Sequence, residues 1–95
     1  MPGYNRAELS VELTVVPSSD AESPPQAQIE AAKQAASDSG LAHEAGPETT
    51  VVAGGRSEAL EAMLGVIEAS LNAGARVVQV RVEAEGEASR FGEEG

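Results

Sequence analysis

Twice in this chain a helical stretch ends on a small residue plus glycine and passes almost at once into a strand, at Ser39-Gly40 and again at Ala73-Gly74. A glycine just past a helix supplies the left-handed residue that stops it. The two halves of the chain echo each other around these junctions, which is the mark of a split pair of β-α-β units. Right-handed crossovers then place both helices on one face of a single sheet. With 95 residues there is room for one core and no second domain.

The flanking patterns agree. Leu9, Val11, Leu13 and Val15 alternate with Ser10, Glu12, Thr14 and Val16, a period of two that predicts a half-buried strand ended by Pro17. Ser18 to Glu22 read as polar loop. Ser23-Pro24 predicts a helix start, serine as N-cap and proline at the first helical position. The helix is expected over roughly 24–39, with Ile29, Ala32 and Ala36 on one face. Leu41–Ala45 and Thr49–Ala53, separated by Gly46-Pro47, predict a hairpin. After Gly54-Gly55, Ser57 is placed to cap a second helix, on which Leu60, Met63, Leu64, Ile67 and Leu71 form the clearest apolar stripe of the chain. Val78, Val80 and Val82 alternate with Gln79, Arg81 and Glu83 as a last strand.

The expected fold is therefore α+β, a ferredoxin-like β-α-β-β-α-β domain over 7–84, with 1–6 and 85–95 as flexible termini. A four-stranded antiparallel sheet lies under two helices, and the Leu60–Leu71 stripe is expected to cover Leu9, Val11, Leu13, Val15, Val78, Val80 and Val82. Alanine and valine dominate the apolar residues, and Tyr4 and Phe91 are the only aromatics. So thin a core in so small a domain gains from burial between subunits, and a homo-oligomer is expected. The bare sheet face carries Glu12, Thr14, Val16, Val77, Gln79, Arg81 and Glu83. It is either solvated or a subunit interface, and Val16 and Val77 tilt the reading toward the interface.

Composition excludes several classes of function. Sixteen carboxylates face six Lys and Arg, a net charge of −10. Phosphate backbones need cations and stacked bases need aromatic platforms, so nucleic acid is not an expected partner. An anionic membrane surface is disfavoured for the same reason. Solubility or a salty cytoplasm accounts for the acidity more simply than ligand steering does. The chain has no cysteine, which rules out disulfides, thiolate nucleophiles and Cys-ligated metal. The first residues carry no apolar h-region, so a cytoplasmic protein is expected.

Topology decides which loops meet. The end of the first strand lies beside the starts of the third and fourth, which gathers Ser18, Ser19, the hairpin residues His43 to Thr50, and Arg76. Hydroxyls, the Glu48 carboxylate, an imidazole and a guanidinium suit the orientation of a small polar ligand. Each also has a plainer role. The serines can cap the loop, Thr49 and Thr50 suit a strand, and Arg76 can offset the dipole of the second helix. His43 is the only histidine, with no partner at metal-ligand spacing, so neither a metal site nor general-base work is expected of it. The candidate set is thus Ser18, Ser19, His43, Glu48, Thr49, Thr50 and Arg76 for ligand binding, with no catalytic residue, metal or cofactor.

Four stretches together resemble the small thiamine-binding protein family. They are Val11-Glu12-Leu13-Thr14-Val15-Val16-Pro17, the helix end Ser39-Gly40-Leu41, the run from Gly46-Pro47-Glu48-Thr49-Thr50 to Gly54, and Asn72-Ala73-Gly74-Ala75-Arg76-Val77. The resemblance runs in register from Glu8 to Glu83. It implies a ferredoxin-like fold, dimers commonly paired into tetramers, and non-catalytic binding of thiamine or its pyrimidine moiety. Pro47 and Thr50 match the family's hairpin motif. Glu48 stands where members usually carry methionine, Ala53 where they carry glutamate, and Ile67 where the second helix often has histidine. The last strand also departs, reading Val82-Glu83-Ala84-Glu85 at its end.

Three functions compete on this reading. The first is a thiamine or pyrimidine binder, in which Glu48, Ser18, Ser19 and Thr50 would hold the aminopyrimidine and the acidic surroundings suit the cationic thiazolium. The second is a structural or regulatory oligomer with no small ligand, and the third a small enzyme using His43 and Glu48. They are ranked in that order.

Overall fold

The first strand, β1 (Leu9–Val16), alternates buried and half-buried residues along nearly its whole length, because Leu9, Val11, Leu13 and Val15 all point under the helices. The computed structural model describes residues 8–20 and 22–84, so the termini expected at 1–6 and 85–95 lie outside the described residues. Five further elements follow: α1 (Pro25–Asp38), β2 (Ala42–Ala45), β3 (Thr49–Gly54), α2 (Arg56–Asn72) and β4 (Val77–Ala84). The sheet order is β2-β3-β1-β4, every pair antiparallel. This is the ferredoxin-like α+β arrangement expected from the sequence.

Both helix ends fall where the glycines predict. Gly40 has φ 76° and Gly74 has φ 111°, conformations that side chains with a Cβ rarely adopt. The helix starts differ from expectation. Ser23 does not cap α1, because Pro24 is itself followed by Pro25, and a residue before proline is driven out of the helical region. Pro24 therefore stays extended (φ −68°, ψ 156°) and serves as the N-cap, while Pro25 opens the helix. Ser57 likewise lies inside α2, whose N-cap is Gly55.

The larger correction concerns α2. Its most buried line is Ala59, Ala62, Val66 and Ser70, not the stripe of large residues. On a helical wheel of about 100° per residue the two lines lie about 110° apart. Small residues occupy the line of closest approach because α2 must settle against β1 and against Ala32 and Ala36 of α1. Ser70 is accommodated there by donating its hydroxyl to the Val66 carbonyl, 2.7 Å away. Leu60, Met63 and Ile67 are left half-buried at the flank of the core, and Leu64 is 60% exposed. The same placement uncovers β4. Val80 and Val82 were expected beneath α2, yet they are 39% and 44% exposed, because α2 lies over β1 and leaves the sheet edge open.

Candidate functional site

The end of β1 is tied to its neighbours by backbone bonds. Val15 N–H donates to the Glu48 carbonyl (3.1 Å), and Gly46 N–H donates to the Thr49 carbonyl (2.7 Å) across the hairpin turn. On the other side Val16 pairs with Val77, which brings Arg76 to the same end of the sheet. Ser18 and Ser19 follow directly. The strand topology therefore gathers Ser18, Ser19, Glu48, Thr49 and Arg76 in one region.

A side chain that the sequence reading passed over fixes this loop. Gln28 of α1 is fully buried and its amide is spent on backbone. Its Oε1 accepts from Ser18 N–H (2.8 Å), and its Nε2 donates to the carbonyls of Ser18 (2.9 Å) and Ser23 (3.2 Å). A single amide thus holds both ends of the β1–α1 connection, and a buried polar group fully paired in this way rigidifies what it touches. The signal was present in the sequence: Gln28 stands four residues before Ala32 and eight before Ala36, a polar residue on the apolar face.

Two candidates do not join the group. Thr50 lies opposite Leu13 on the helix-covered face and is 2% exposed, whereas Thr49 faces the other way and shares a 3.2 Å hydroxyl contact with Thr14. His43 lies opposite Val52 on the short edge strand β2, two residues back from the turn end of the strand, and its Nδ1 donates to the Leu41 carbonyl (3.0 Å). The alternation of strand side chains separates neighbouring threonines, and the length of β2 carries the imidazole away from the sheet end.

Arg76 meets Asp20 at 3.6 Å, with both side chains about two-thirds exposed. So exposed a pair contributes little to stability and leaves both charges open to a ligand. Beside it lies an open depression of about 310 Å³ lined by Glu22, Ser23, Asn72, Ala73, Gly74 and Arg76. Asp20, Glu22 and Glu48 outnumber the one guanidinium here, a field that favours cationic or hydrogen-donating ligands. The Glu48 carboxylate is exposed and has no hydrogen bond or ion pair within the described residues. A second open groove, of about 380 Å³, runs between the helices past Asp38, Glu58 and Glu61 at the opposite end. On the bare face Arg81 pairs with Glu83 of its own strand at 2.9 Å rather than with Glu12 across from it. No helix among the described residues is long and apolar enough to cross a membrane.

Known structures share this architecture. The chain superimposes on a domain of unknown function, DUF77, from Bacillus cereus with a TM-score of 0.67 at 21% identity, covering 85% of this chain and 77% of that one. It also superimposes on a candidate thiamine biosynthesis/salvage protein from Thermotoga maritima with a TM-score of 0.65 at 20% identity, covering 92% of this chain and 98% of that one. At these identities the likeness establishes the fold. No family model and no curated protein sequence matches the chain.

Proposed function

We propose that this protein is a divergent member of the small thiamine-binding family, a non-enzymatic module that binds thiamine or a related pyrimidine and works as a homo-oligomer. The observation that carries the reading is the end of β1, where Gln28 locks the Ser18 loop and the strand order brings the exposed Glu48 to the same end of the sheet as Arg76 and its open depression. A carboxylate there can accept from an exocyclic amine, and charge-assisted bonds of this kind are roughly twice as strong as neutral ones. The acidic surroundings suit a thiazolium cation. The thiamine assignment of the Thermotoga neighbour points the same way. Binding without catalysis is supported by the placement of His43, which is held by a backbone carbonyl on β2 away from Glu48.

The shallow, open form of the depression favours a second reading, an oligomer with no small ligand. Isothermal titration calorimetry with thiamine separates the two. Binding at one ligand per subunit, weakened about tenfold or more by Glu48→Gln, is the expected result, the loss of one charge-assisted bond being about 1.4 kcal/mol or more. The melting temperature of the variant should stay near that of the parent, since Glu48 is exposed. An unchanged dissociation constant removes Glu48 from the site, and no heat at all with the parent protein favours the second reading.

A further inference from the structure

The depression beside Arg76 is bounded by two helix ends, and neither offers what an anion needs. It is lined by Glu22 and Ser23 ahead of α1 and by Asn72, Ala73, Gly74 and Arg76 at and after the end of α2. A helix start ordinarily presents free N–H groups that can hold a phosphate. Here the N-cap is Pro24 and the first helical residue is Pro25, and proline has no N–H to give. The Ala27 N–H is already spent on the Pro24 carbonyl at 2.9 Å, as is that of Gln28 at 3.4 Å. That leaves Gln26 with the one unspent N–H of the first turn, among the described residues. The end of α2 supplies acceptors instead. The carbonyls of Asn72 and Ala73 receive no hydrogen bond among the described residues, and the last turn carries no basic side chain.

We propose that this depression selects the cationic, unphosphorylated form of its ligand and rejects the phosphate ester of the same molecule, with Asp20 as the residue that sets the preference. The inference rests on the thiamine reading of the proposed function and adds which form is held. Arg76 is the one cation lining the depression, and Asp20 stands 3.6 Å from it. One carboxylate thus matches the guanidinium, and Glu22 adds a second. A phosphate monoester brings about two negative charges at neutral pH. It would meet Asp20 and Glu22 as like charges and find a single unspent N–H at the start of α1. A ligand with a thiazolium and a bare hydroxyl meets the same groups as partners. The carboxylates attract the cation, and the open carbonyls of Asn72 and Ala73 can accept from the hydroxyl. Asp20 acts through Arg76: without its carboxylate, the guanidinium is free to take two phosphate oxygens in a forked contact.

The test is isothermal titration calorimetry of the full chain with thiamine and with thiamine monophosphate at low salt. The parent protein is expected to bind thiamine about tenfold tighter or more, because each like charge within a few ångströms acts against the ester. Asp20→Asn should narrow that preference about fivefold, chiefly by tightening the ester, and adding Glu22→Gln should narrow it further. Circular dichroism should not change, both positions being exposed. In the parent itself the preference should shrink as salt rises from about 0.05 M to 0.5 M, because exposed charges separated by more than roughly 10 Å are already screened at 0.1 M. That measurement decides the matter if a variant does not fold. Equal affinities, a tighter ester, a preference indifferent to salt, or a folded Asp20→Asn with the parent's preference each overturns the selection and leaves thiamine binding standing. A parent protein that binds neither compound overturns the thiamine reading and the selection with it.

Discussion

Replacing Gln28 with leucine keeps roughly the volume of the side chain and deletes all three of its hydrogen bonds. The groups left behind are the Ser18 N–H and the carbonyls of Ser18 and Ser23. An unsatisfied buried group costs about 1–3 kcal/mol, and these three are part-buried, so water can recover some of the loss; the net destabilisation should be about 2–4 kcal/mol. For a domain of this size that corresponds to a drop in melting temperature on the order of 10–30 °C. Urea unfolding should show an earlier midpoint with an unchanged m-value. Gln28→Glu supplies the sign test. One carboxylate oxygen can still accept from Ser18 N–H, but the other faces two carbonyl oxygens and can donate to one of them only when protonated. Its folded-state pKa is therefore raised above the unfolded value of about 4.3. The bond it makes is present below that value and lost as pH rises through the folded pKa, so the variant should lose stability relative to the parent between about pH 4 and pH 7. A loss under about 1 kcal/mol for Gln28→Leu, or no pH dependence for Gln28→Glu, would show that the loop is held by its other contacts and refute the clamp.

Two further outcomes follow from local geometry. Gly74→Ala puts a Cβ on a residue at φ 111° and should cost about 1–2 kcal/mol by thermal unfolding, a penalty that a helix-interior glycine such as Gly65, with nothing within 4 Å of a built Cβ, would not show. Arg76→Ala removes one side of an exposed ion pair and should move stability by less than about 0.5 kcal/mol while altering thiamine affinity by calorimetry, which separates a binding role from a merely electrostatic one.

The fold was legible because its punctuation is unambiguous. Gly40 and Gly74 end helices, Pro17 ends β1, and strict alternation marks β1 and β4. The angular position of α2 was not legible. Periodicity reports where large apolar residues fall on the wheel, but the packed line is chosen by what fits between two helices and a sheet, and here alanines and a self-satisfied serine fit best. From the sequence the large stripe looked like the core, whereas Leu60, Met63 and Ile67 are half-buried at its flank and Leu64 and Leu71 are exposed. The candidate site was legible as far as strand order goes, which places Ser18, Glu48, Thr49 and Arg76 at one end. Thr50 and His43 were included on proximity along the chain, and the two faces of a strand separate what proximity joins. Gln28 shares the face of Ala32 and Ala36, which marks it as a buried polar residue, but its partners are backbone groups ten and five residues away that the pattern does not name.

The misplaced stripe bears on function more than on fold. Were Leu60 to Leu71 directed into the core, β4 would be covered. With α2 turned toward α1, the strip beside β4 is apolar and open, and it ends at Val77, which pairs with Val16 and adjoins Arg76.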